Sequence, residues 1–251
     1  MNGRGQSKDK GEGCSLGCSP SPSLPKVSFP ADIIMRDNLP TLPSAFTPLA
    51  FKPPKDNRMN FDQDDISLIF RAIRFSAERH KTQRRKGAED IPYINHPIDV
   101  AETLWKVGGV RDISVIVAAI LHDTVEDTET TLAEIEEHFG PVVRSLVQEV
   151  TDDKSLPKQE RKRLQVEHAP HLSRGAQRIK LADKISNIND VAYAPPAHWP
   201  YQRRVDYLTW ADHVVSGLRG CSDQMEKLYD ETMRRARAQL TDEAKVAFSG
   251  A

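Results

Sequence analysis

A nine-residue run, Ile113-Ser114-Val115-Ile116-Val117-Ala118-Ala119-Ile120-Leu121, carries one hydroxyl and no charge, and it leads straight into His122-Asp123. The run falls well short of the roughly 20 residues needed to cross a bilayer, so no membrane span is expected. It must be buried in protein instead, and the two polar residues at its end are carried in with it. Burying such groups is costly unless they are paired. The run alone would also suit a buried strand. Asp112 is a fair helix N-cap and the Ala118-Ala119 pair favours helix, which together predict a central buried helix over 112–122.

The flanking sequence is helical throughout. From Asp62 onward Ile66, Ile69, Phe70, Ile73 and Ala77 form one apolar stripe. Further helices are expected over 97–107, with Pro97 in the first turn, and over 131–139, opened by a Thr131/Glu134 capping box. Gly140 separates the latter from a helix over 141–150. Helical patterns resume over 158–168, 176–192, 201–219 and 222–239, joined by Pro-containing loops such as Ala194-Pro195-Pro196, and no hairpin signal stands out. The expectation is one all-α domain over residues 61–240, a helical bundle, followed by a short C-terminal tail, 241–251. Nine of the 17 prolines fall within residues 1–60, among Gly, Ser and isolated hydrophobics. That composition predicts a disordered N-terminal extension.

Composition narrows the function classes. With 35 Lys+Arg against 36 Asp+Glu, the net charge of -1 argues against a polybasic nucleic-acid binder. Three cysteines, Cys14, Cys18 and Cys221, cannot build a disulfide framework, and Cys14 and Cys18 lack the nearby partners a zinc site needs. No secretory signal is read at the start, and a cytoplasmic, reducing location is expected. Asp9, Glu12, Asp32 and Asp37 disfavour a transit peptide, while leaving organellar import through the N-terminal extension open.

Four residues have the chemistry to hold a divalent ion through nitrogen and oxygen: His96, the His122-Asp123 pair, and Asp183. Neutral imidazoles with two carboxylates would satisfy an ion without excess negative charge; the alternative is a His–Asp hydrogen-bonded pair. With no thiolate in the set, a closed structural zinc site is disfavoured, and the ligation suits Mn, Fe, Ni, Co or Zn. Such an ion lowers the pKa of a bound water toward neutrality and neutralises phosphoryl charge, which is the chemistry of phosphate ester or anhydride hydrolysis. At about 100° per residue, Leu181, Ile185, Ile188 and Ala192 share one face of the helix that carries Asp183, while Lys180, Asp183, Asn187 and Asp190 share the other.

The segments Arg84-Arg85-Lys86, Pro92-Tyr93-Ile94-Asn95-His96-Pro97, Leu121-His122-Asp123-Thr124-Val125-Glu126-Asp127-Thr128, Val150-Thr151-Asp152-Asp153-Lys154 and Lys180-Leu181-Ala182-Asp183-Lys184 resemble the hydrolase domain of RelA/SpoT homologues, within the HD-type metal-dependent phosphohydrolases. The similarity is greatest to the small stand-alone, metazoan-type hydrolases of guanosine 3′,5′-bis(diphosphate) (ppGpp). The resemblance implies an HD-domain bundle with His96, His122, Asp123 and Asp183 as metal ligands and Mn²⁺ as the usual ion. It implies metal-hydroxide attack on the 3′-pyrophosphate, leaving GDP and pyrophosphate. Glu126 and Asp127, expected in a polar loop, would orient the attacking water and relay its proton, with neither singled out as the base.

The same resemblance implies substrate contacts from Arg85, Lys86 and Asn187, and from Lys158, Arg203 and Tyr207 toward ribose and phosphate. Trp199 and Trp210 are expected to be packing residues, and the charges of Lys158 to Arg163 would otherwise be a solvated helix face. Two alternatives share the cleft: a phosphatase acting on the 2′-phosphate of NADPH, and a nucleotide-binding sensor without turnover. The expected partner is a small-molecule nucleotide, with no nucleic acid and no membrane. Oligomeric state is left open.

Overall fold

In the protein's structure, a computed structural model, residues 63–87, 90–196 and 198–249 are described, with side chains to 245. The expected N-terminal extension, with Cys14 and Cys18, lies outside them. The elements are α1 (Gln63–Arg79), α2 (Asn95–Lys106), α3 (Ile113–Leu121), α4 (Thr124–Asp127), α5 (Leu132–Val150), α6 (Lys158–His168), a 3₁₀ turn (Ala169–His171), α7 (Arg174–Tyr193), α8 (Tyr201–Ser216) and α9 (Asp223–Ser249). Among the described residues the only extended pairing is a single bridge between Arg84 and Pro92. The class is all-α, as the periodicity requires.

Local chemistry sets the helix ends. The Asp112 carboxylate accepts from the Ser114 backbone N–H at 2.9 Å, so the apolar run starts as a capped helix. At α5 the box closes both ways, with Glu134 N donating to Thr131 Oγ1 at 3.2 Å and Thr131 N to Glu134 Oε2 at 2.8 Å. Gly140 interrupts α5 at φ +84°, a left-handed conformation that favours glycine, and so separates the two helical stretches. The last helix runs to Ser249, past the expected boundary at 240. Its final turns, through Asp242-Glu243-Ala244-Lys245, hold good helix formers and no breaker.

From Val115 through Leu121 every residue of α3 is buried, and α1, α2, α5 and α7 pack around it. Helix α7 is the second axis, packed against α2, α5, α8 and α9 as well. Its apolar face, Leu181, Ile185, Ile188 and Ala192, is buried in the core. Two lysines on the same helix, Lys180 and Lys184, are buried too, which an ordinary amphipathic helix would not tolerate. The polar side of α7 therefore faces an interior cleft rather than bulk water.

Candidate active site

The cleft forms where the C-terminal end of α3, the start of α2 and the middle of α7 converge. His96 enters in the first turn of α2, His122 caps α3, Asp123 follows it, and Asp183 projects from α7. His96 Nε2 lies 3.2 Å from Asp183 Oδ1 and 3.7 Å from Asp123 Oδ2. His122 Nε2 lies 3.0 Å from Asp123 Oδ2 and 3.9 Å from Asp183 Oδ1. Ligand atoms of His96, His122 and Asp183 all fall within 4.8 Å of one another. Asp123 stands at the edge of this set, its Oδ2 drawn also toward Tyr93, whose hydroxyl donates to it at 2.6 Å.

Both imidazoles are oriented from behind. His122 Nδ1 lies 2.8 Å from the Ala119 carbonyl, an acceptor only, so Nδ1 carries the proton and donates. His96 Nδ1 pairs with Ser186 Oγ at 3.0 Å. The inner nitrogen of His122 is buried and makes no well-aligned hydrogen bond, although Asp123 Oδ2 lies 3.0 Å away. Two imidazoles and the Asp183 carboxylate gathered about one point, with Asp123 beside them, fit a divalent cation held through nitrogen and oxygen. The electrostatics agree. Burial works against a charged His122, yet Asp123 and Asp183 outweigh it and push the ring up to about 9. These carboxylates demand a positive charge at their centre. Burial likewise opposes charge on Asp183, but Lys184 and His96 hold it well below the ordinary carboxylate range.

Glu126 and Asp127 do not lie in a loop. They end α4, a single helical turn in which Asp127 N bonds to Asp123 O at 2.8 Å. The threonines that suggested a loop stabilise the turn: Thr124 Oγ1 donates to Leu121 O and Thr128 Oγ1 to Thr124 O, each at 2.6 Å. The two acids are held differently. Asp127 is gripped by Lys154 through one oxygen and approached by the Tyr93 hydroxyl at 3.3 Å through the other. Glu126 accepts from the Asp152 backbone N–H at 3.1 Å, with Arg161 at 3.7 Å. Burial, then the neighbouring charges of Asp123 and Asp152, push Glu126 up to about 7.

The remaining expected residues surround the same cleft, of about 410 Å³, which Arg85, Lys86, Asn187, Lys158, Arg203 and Tyr207 all line. Arg85 is fixed by Asp190 through Nε at 2.8 Å and by Asn187 Oδ1 at 3.0 Å, with its guanidinium 5.5 Å from the Tyr93 ring centre. Asn187 donates in turn to Asp183. Trp199 and Trp210, expected as packing residues, line the cleft as well, with Tyr207 between them at centroid distances of 5.8 and 5.3 Å.

Several residues given no role from sequence prove central. Tyr93 joins Asp123 to Asp127. Lys184 donates to Asp183 Oδ2 at 2.9 Å, and Lys180 donates to Val150 O at 2.8 Å beside Asp152. All three lie inside segments that carry the family resemblance, which was their one available signal. Ser186 and Ala119 gave none, because their part is to hold another residue's ring.

The family model described as HD domain matches residues 72–211. The chain is 55% identical over 166 residues to the guanosine-3′,5′-bis(diphosphate) 3′-pyrophosphohydrolase MESH1 of Xenopus tropicalis, which covers 66% of this chain and 93% of that protein. It is 55% identical over 163 residues to the Homo sapiens protein of the same name, covering 65% and 91%. A solved structure described as a metazoan ortholog of SpoT that hydrolyzes ppGpp is similar at a TM-score of 0.66 and 44% identity, over 67% of this chain and 95% of that one.

Proposed function

The chain belongs to the HD domain family, and from that premise we propose that it is a metal-dependent 3′-pyrophosphohydrolase of guanosine 3′,5′-bis(diphosphate), releasing pyrophosphate and leaving GDP. The observation that carries this reading is the convergence, in one cleft, of three elements. These are a nitrogen and oxygen set suited to an ion, an acid whose proton is exchangeable near neutrality, and cations without acid partners.

A divalent ion held by His96, His122, Asp123 and Asp183, with Mn²⁺ the proposed one, acidifies water and neutralises phosphoryl charge. The protein supplies the rest. Lys184 binds one oxygen of Asp183, which leaves the other facing His96. Glu126, with a carboxyl near 7, can take the proton of the attacking water and return it to the departing ribose 3′-oxygen. Asp127, bonded by Lys154 and approached by the Tyr93 hydroxyl, orients that water. Water adds to the phosphorus next to the 3′-oxygen, the bond between them breaks, and pyrophosphate leaves. Arg85 and Lys86 would receive the base, Asn187 would contact the substrate beside them, and Lys158, Arg203 and Tyr207 would contact ribose and phosphate.

The test is the product profile of purified protein given the bis(diphosphate) and Mn²⁺. Equimolar GDP and pyrophosphate are expected, with release abolished by chelation and by Asp183→Asn. Orthophosphate as the sole phosphorus product, or binding without release, would overturn the reading.

A further inference from the structure

The cleft continues beyond the groups that the proposed reaction uses. Between α6 and α8 it opens into a groove of about 820 Å³, and Lys158, Lys162, Arg203 and Trp210 line both spaces. Helix α6 buries none of its residues and packs on α8, so it adds little to the core. What it does is present cations. Two of them are matched: Arg163, which also lines the groove, pairs with Glu160 and Glu167, and Arg161 lies 3.7 Å from Glu126.

Lys158 and Lys162, one turn apart and so on one side of the helix, are not matched in this way. Among the described residues no carboxylate forms an ion pair with either of them or with Arg203. Of the two acids that line the groove, Glu167 pairs with Arg163, and Asp206 accepts from Gln202 at 2.8 Å while lending Lys162 part of a counter-charge from beyond ion-pair distance. Lys162 Nζ lies 4.6 Å from the Trp210 ring centre and 5.8 Å from that of Tyr207, and the Arg203 guanidinium lies 4.3 Å from that of Trp199. Burial and then mutual repulsion depress the Lys158 and Lys162 ammonium groups. Three cations without an ion pair among the described residues, two of them over aromatic faces, meet at a common opening and form a site for a chain of phosphates.

We propose that Lys162 reads the length of a nucleotide's 5′-phosphate chain: the non-reacting phosphates pass Lys158 and Arg203, and the terminal one meets Lys162 Nζ above Trp210. This rests on the reading of the cleft as a guanine-nucleotide site. Its test does not require turnover. GMP, GDP and GTP are titrated calorimetrically into the full-length protein without added metal, at fixed ionic strength. Affinity is expected to rise along the series. Lys162→Gln should cost about tenfold for GTP, less for GDP and little for GMP, and Lys162→Arg should restore the gradient.

An equal loss for all three nucleotides, no loss, or a wild-type protein that does not distinguish them overturns the proposal. Pyrophosphate release with a flat series would defeat this inference alone. A graded series without release would defeat the proposed reaction alone.

Discussion

Replacing Glu126 by Gln should change how stability depends on pH, in an amount that follows from the geometry. The Glu126 carboxyl is part-buried between Asp123 and Asp152, which raises it from its ordinary value of 4.5 to about 7. Below pH 4.5 the group is protonated in the folded and unfolded chain alike and contributes no dependence. Between pH 4.5 and 7 the unfolded chain releases its proton while the folded protein keeps it, so folding loses free energy as pH rises. At 1.36 kcal/mol per pH unit the full loss approaches ~3 kcal/mol above pH 7. Glutamine stays neutral, and its side-chain oxygen can still accept from the Asp152 N–H.

Urea unfolding of the metal-free wild-type and Glu126→Gln proteins, followed by circular dichroism at several pH values from 4 to 8, isolates this group because the other titrations cancel in the difference. Glu126→Gln should gain on the wild type by up to ~3 kcal/mol across that range. Adding Mn²⁺ should shrink the gain, because positive charge beside Asp123 removes part of the repulsion acting on Glu126. Parallel stability curves would refute the premise that Glu126 holds a proton near neutrality in the folded state.

Tyr93→Phe deletes the hydroxyl that donates to Asp123 at 2.6 Å and lies 3.3 Å from Asp127. A hydrogen bond to a charged group contributes about 1.5–3 kcal/mol, so Mn²⁺ affinity measured by calorimetry should fall by about tenfold or more, and unchanged affinity would refute a positioning role. Arg204→Met should destabilise the protein by roughly 3 kcal/mol in thermal or urea unfolding. The buried guanidinium donates to the Val191 and Ala192 carbonyls, each at 3.0 Å, and to Glu243 at 2.6 Å, tying the end of α7 to α8 and α9. A loss below 1 kcal/mol would mean that these carbonyls find other donors.

Most of the fold can be read from residues whose effect is local. Asp112 and Thr131 cap through neighbours two and three positions away, and Gly140 breaks α5 through its own φ, so one short segment contains both cause and result. The four nitrogen and oxygen donors could be picked out because a polar pair ending a buried helix is conspicuous. The turn that carries Glu126 and Asp127 is harder to read, although its cause is just as local. Thr124 to Thr128 look like a polar loop, yet they continue the helical winding because their hydroxyls donate to carbonyls one turn back. Trp199 and Trp210 pack against the core as expected, and they line the cleft as well. The length of α9 past residue 240 was indistinct for another reason, since exposed helix formers carry no apolar period to mark their end.

The same locality explains how so much charge can sit within the bundle. Helix α7 supplies Asp183 and also the cations that offset the acids around it: Lys184 is adjacent and bonds Asp183, and Lys180, one turn earlier, reaches Val150 O and lies 3.7 Å from Asp152. Because acid and counter-charge share one rigid helix, their spacing is set by the backbone and does not rely on a distant segment docking correctly. His122 is fixed just as locally, by the carbonyl three residues before it, whereas His96 on α2 is held by Ser186 across the packing of α2 on α7. What the helix does not supply is positive charge between the donors, where Asp123 and Asp183 raise His122 against the effect of burial. Two imidazoles and the Asp183 carboxylate with ligand atoms within 4.8 Å of one another, and Asp123 beside them, make the nitrogen and oxygen donor set that suits a divalent ion, and that convergence is the basis for proposing a cation here.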